Sequence, residues 1–180
     1  LDTKTETLLC RNVSQLFVHQ NRLYAVNMED KLMEITAPGQ PQTVLELDPD
    51  AYPYYVLPQG DHLLALDGSN HLLVVSRKLG SAECIPIVEG SMANDRTYLI
   101  CDETQIFVSY HATKTDGSIV KDADSEHNGV WQVFADTKEV RKVCDTYFES
   151  LYLNNGVLLG VTDGKLYRID AETGALEKLN

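Results

Sequence analysis

Apolar residues in this 180-residue chain come in short runs of four to seven, bounded by Gly, Asn, Asp or Pro, and the runs recur in sets of four. Runs of that length suit β-strands, and no stretch sustains the i, i+3, i+4, i+7 stripe by which a helix buries one face. The first set is Gln15–His19, Arg22–Asn27, Lys31–Thr36 and Thr43–Leu47. The second is Tyr54–Leu57, His62–Asp67, His71–Ser76 and Ala82–Ile87, and the third is Thr97–Cys101, Gln105–Tyr110, Gly129–Ala135 and Glu139–Val143. The fourth is Leu151–Asn154, Val157–Thr162, Lys165–Asp170 and Ala175–Leu179. Gln59-Gly60-Asp61, Asn154-Asn155-Gly156 and Asp163-Gly164 fall between runs and supply residues that tolerate positive φ at hairpin corners.

Second runs are apolar on both faces, as in Leu63-Leu64-Ala65-Leu66, whereas fourth runs alternate, as in Val140-Arg141-Lys142-Val143. A strand covered on both sides loses its alternation, and one at a half-exposed edge keeps it. With a repeat of about 42 residues, this gradient predicts an all-β fold, a β-propeller of four consecutive four-stranded antiparallel blades. The blades are read at 11–48, 49–90, 91–145 and 146–180, with an insertion at 111–128 in the third. Leu1–Leu8 matches Ile169–Leu176 at an offset of 168 residues, which is four repeats. Residues 1–10 are therefore expected to be the outer strand of an upstream blade, and the chain an incomplete part of a larger propeller. Missing blades or a partner would then cover an open blade face.

The formal charge is −12 and the pI about 4.7. An acidic surface repels a phosphate backbone, so nucleic acid is not an expected partner. No apolar run approaches the roughly 20 residues that span a bilayer, so no membrane insertion is expected within the chain. Cys10, Cys84, Cys101 and Cys144 are scattered without the clustering of a zinc site and read as buried thiols on strands.

Leu166-Tyr167-Arg168-Ile169-Asp170-Ala171-Glu172-Thr173-Gly174 is similar to the strand-turn-strand of bacterial propellers of the quinoprotein-like (PQQ-repeat-like) kind. It also looks like the repeats of six-bladed receptor-type propellers of bacterial surface proteins. Quinoprotein repeats mostly carry a tryptophan, and this chain has one, Trp131. The resemblance thus implies a fold rather than an activity.

Loops between second and third strands, and between blades, open on one face of a propeller, at the mouth of its channel. Asn27, Asp67, Tyr110 and Thr162 end second strands, Asp163 follows, and Tyr52 and Tyr147 lie in linkers, which makes all seven candidate ligand-binding residues. Tyrosine offers contact area with a polar tip, suited to peptides or sugars. The same residues would serve equally to pack blades together and cap turns. The insertion carries Asp122-x-Asp124-x-Glu126, alternate carboxylates that could wrap Ca2+, although the central Gly and bidentate Glu of an EF-hand loop are missing. A solvated hairpin is the other reading of this loop. His111 and His127 bracket it and would approach each other if it closed.

These features predict a non-catalytic ligand- or protein-binding scaffold domain, taking protein or carbohydrate, in a larger extracytoplasmic bacterial protein. A metal-dependent or degenerate quinoprotein-like enzyme at the channel mouth is the alternative from another class, and a sensor domain of a signalling protein is a third. No cofactor is expected beyond Ca2+ in the insertion.

Overall fold

A computed structural model describes residues 8–29, 31–37, 39–46, 56–66, 71–76, 81–88, 96–114, 116, 118, 120 and 125–180. Every apolar run of the sequence forms a strand there. The first sheet holds β1 (Val13–His19), β2 (Arg22–Asn27), β3 (Lys31–Ile35) and β4 (Pro41–Glu46), and the second holds β5 (Val56–Gln59), β6 (His62–Leu66), β7 (His71–Ser76) and β8 (Ser81–Pro86). The third holds β9 (Arg96–Cys101), β10 (Ile106–His111), β11 (Gly129–Phe134) and β12 (Glu139–Cys144). The fourth holds β13 (Ser150–Asn154), β14 (Val157–Thr162), β15 (Lys165–Ile169) and β16 (Leu176–Lys178). Each sheet is an antiparallel meander in chain order. Among the described residues no helix is long and apolar enough to cross a membrane.

The second strands show why both their faces are apolar. Tyr24 and Val26 of β2 pack against Val56, Leu63 and Ala65 of the second sheet. From the other face of β6, Leu64 and Leu66 meet Leu99, Ile106, Val108 and Tyr110 of the third sheet. Phe107 of β10 in turn meets Leu151 and Leu158 of the fourth, and Phe148 in the linker before it. Successive residues of one strand thus enter successive cores, so each sheet is the filling between two neighbours. The first strands approach one another from sheet to sheet, β5 to β9 and β9 to β13. They form the inner side of the arc, and the exposed β16 lies at its outer edge.

Polar side chains fasten consecutive sheets, two of them by paired bonds to a single backbone residue. Gln15 of β1 accepts from Val56 N–H and donates to Val56 C=O, both at 2.7 Å. Ser109, fully buried in β10, does the same for Phe148, accepting from its N–H and donating to its C=O at 2.9 Å. At the start of β11, Gly129 has φ +132°, and a Cβ there would lie 2.0 Å from the Cys144 carbonyl oxygen, so only glycine fits.

Residues 1–7, most of the strand expected at 1–10, fall outside the described residues. Leu8–Cys10 form no strand, but Leu9 and Cys10 cover Ala25 and Met33 on the outer face of the first sheet. The four cysteines are thiols. Three are half-buried, whereas Cys84 is exposed on β8, and Cys10 precedes β1 instead of lying within a strand. Burial and the neighbouring Asp102 push the Cys101 thiol up to about 11.

Candidate functional site

The turns between second and third strands and the linkers between sheets share one end of the arc, where the insertion also lies. Of the positions expected at this mouth, Tyr52 and Asp67 fall outside the described residues. Asn27 is buried, and its Oδ1 accepts the N–H groups of Glu29 and Lys31 at 3.0 and 2.9 Å, closing the β2–β3 corner. Tyr110 is 2% exposed and sits in the core between the second and third sheets. Thr162 is half-buried at the end of β14, and Asp163 is exposed with φ +50°, in the β14–β15 corner. Tyr147, in the linker before β13, packs against His111 with ring centroids 4.5 Å apart and planes tilted by 37°, and burial raises its hydroxyl pKa. The structure brings Tyr147 to the insertion, while Asn27 and Tyr110 are occupied by a turn and a core.

The insertion has a fixed frame. Asn128, with no solvent exposure, accepts from Ala112 N–H at 2.7 Å and donates to Val120 C=O at 3.1 Å. His111 Nε2 reaches the same Val120 oxygen at 2.7 Å, and Val120 N–H donates to Ala112 C=O. Across its base, Trp131 Nε1 donates to His127 C=O at 2.9 Å. Lys142 reaches Glu126 C=O at 2.5 Å and the Asp145 carboxylate at 2.6 Å, and lies 5.5 Å from the centre of the Trp131 ring. The described part of the loop is therefore held at its base to β10, β11 and β12, while Lys114, Asp116 and Ser118 are exposed. His111 and His127 do not come together, because the first faces Tyr147 and Val120 while the second pairs with Glu126 at 3.8 Å.

For the expected Ca2+ set, Asp122 and Asp124 lie outside the described residues, and the Glu126 side chain is 88% exposed. Among the described residues no three His, Cys, Asp or Glu side chains group as metal ligands. Asp116 is exposed at the tip, and its carboxyl is held below the usual range by hydrogen bonds from Ser118. Two grooves open at the opposite end, among hairpin corners: one of about 550 Å3 beside Gln105, Gly156, Arg168 and Asp170, and one of about 490 Å3 beside Gln59, His62 and Glu103.

Sequence reasoning passed over Asn128, Ser109 and Gln15. A signal existed for Ser109, since a hydroxyl inside the run Ile106-Phe107-Val108-Ser109-Tyr110 must find a partner on being buried. Asn128 and Gln15 stand at run edges, where polar residues are ordinary.

No protein-family model matches the chain, and no curated protein matches it in sequence. Solved structures do resemble it. PorZ, a bacterial surface component of the type-IX secretion system of Porphyromonas gingivalis, superposes with a TM-score of 0.62 at 11% identity, over 97% of this chain and 23% of its own. An oligogalacturonate lyase in complex with manganese gives 0.61 at 14% identity, over 94% of this chain and 54% of its own. The computationally designed protein Ika8 gives 0.62 at 13% identity, over 93% of this chain and 48% of its own. The fold is that of a β-propeller. At these identities the likeness concerns architecture alone. The chain spans about half the length of the lyase and the designed protein, and about a quarter of PorZ.

Proposed function

We propose that this propeller segment is a non-catalytic binding or scaffold domain of a larger, extracytoplasmic bacterial protein, and that its insertion face takes a protein ligand. The observation that carries the reading is the construction of that face. Polar groups at the mouth close a turn at Asn27 and frame the loop at His111 and Asn128. Among the described residues carboxylates outnumber cations in its exposed side chains, with Glu29, Asp116, Glu126, Asp145, Glu149 and Asp163 against Arg96, Lys114 and Lys165. A predominantly acidic rim around the half-buried Tyr147 and Trp131 suits recognition of a basic protein surface, with aromatic anchors inside and charge outside. PorZ, described as a bacterial surface component, lends support to the extracytoplasmic setting at the level of fold.

The test places a photo-crosslinking residue at Asp116 or at Glu126 in the natural bacterial host, with a control at Lys178 on the outer edge. Capture of one protein from the two loop positions and not from Lys178 is the expected result. Loop positions that capture nothing beyond the control, or a stoichiometric transition metal in the purified protein, would overturn the reading.

A further inference from the structure

The chain carries two Asn-Gly pairs, Asn128-Gly129 and Asn155-Gly156, and the structure sets them in opposite surroundings. Asn155 and Gly156 are the corner residues of the β13–β14 hairpin, with φ of +50° and +75°. Positive φ at both positions is the backbone of a type I′ turn, and Asn-Gly is a pair that such a turn prefers. Both residues are exposed, and a Cβ added at Gly156 would meet nothing within 4 Å. Among the described residues no hydrogen bond engages the Asn155 carboxamide or the Gly156 N–H. Asn128, by contrast, has no solvent exposure, and its carboxamide is held at both ends, by Ala112 N–H and Val120 C=O. Gly129 after it pairs with Tyr110 in the β10–β11 ladder, against the Cys144 carbonyl.

We propose that Asn155 is a site of spontaneous deamidation by water, and that Asn128 is not. The Gly156 backbone nitrogen attacks Asn155 Cγ and gives up its proton, the Cγ–Nδ2 bond breaks, and ammonia leaves from a cyclic succinimide. Water then adds to either ring carbonyl, the bond from that carbonyl to the Gly156 nitrogen breaks, and the nitrogen regains a proton. Opening at Cγ leaves aspartate and opening at the backbone carbonyl leaves isoaspartate, with nothing oxidised or reduced. The reaction needs a backbone nitrogen that no side chain shields, a carboxamide free to turn toward it, and water. The β13–β14 corner supplies all three. At Asn128 the carboxamide must first leave both its partners, so reaction there waits on local opening of the blade. The aspartyl product keeps the corner, because Asp-Gly is also a type I′ pair, and adds a carboxylate next to the groove that Gly156 lines with Arg168 and Asp170. The isoaspartyl product adds a carbon to the main chain of a two-residue turn, so the Asn154–Val157 pairing beside it must yield.

The test ages the full chain at mildly alkaline pH in water enriched in heavy oxygen, folded in one sample and unfolded in guanidinium chloride in another. Peptide mass spectrometry then follows both Asn-Gly pairs over time. In the folded protein Asn155 is expected to convert about tenfold or more faster than Asn128, because only Asn128 needs the blade to open. Its products should be aspartate and isoaspartate, each holding one heavy oxygen from the solvent. In guanidinium, where both surroundings are lost, the two pairs should convert at similar rates. An Asn155 that stays intact in the folded protein over the time in which both pairs convert in guanidinium overturns the proposal. So does an Asn128 that converts as fast as Asn155 in the folded protein.

Discussion

At the scale of single residues, the junctions between sheets rest on a few polar atoms in apolar surroundings. Ser109 has one hydroxyl, and that hydroxyl satisfies both backbone groups of Phe148. Alanine removes the hydroxyl without adding bulk to the buried site and can make neither bond. Ser109→Ala is therefore expected to destabilise the protein by about 2–4 kcal/mol, the cost of leaving a buried N–H and C=O unpaired. Urea unfolding followed by fluorescence of the single Trp131 measures this as a lower midpoint at unchanged slope. An unchanged midpoint would mean that water reaches Phe148 in place of the hydroxyl. Gln15 performs the same service for Val56 from a less buried strand, so its loss should cost less.

At the scale of elements, the third blade shows how an insertion is made part of a sheet. Asn128 joins the two ends of the loop, with Ala112 on one side and Val120 on the other, just before Gly129 begins β11. Asn128→Ala removes both bonds while leaving the β10–β11 ladder intact. Hydrogen exchange should then quicken about tenfold or more at Ala112 and Val120, with the amides of Phe107 and Val133 unchanged. Equal quickening throughout the sheet would show that the loop and the blade open as one unit. The strands of this blade were legible because their periodicity is a property of burial, and β10 is buried at every position. The loop frame was not legible, because it depends on Asn128 meeting residues 16 and 8 positions away, and nothing local marks such a meeting. Tyr110 illustrates the same limit at the candidate site: its place at the end of a second strand was readable, but the direction of its ring into the core was not.

At the scale of the whole molecule, the repeat made the architecture readable because each blade is specified by its neighbours, and an apolar second strand requires a cover on both sides. Within the described residues β6 and β10 have a cover on each face, whereas β14 packs against the third sheet alone. Backbone amides of β6 and β10 should therefore exchange about tenfold or more slowly than those of β14, as read by hydrogen exchange on the 180-residue chain. Equal protection of β10 and β14 would show that the two strands open only together, in one cooperative unit with the whole arc.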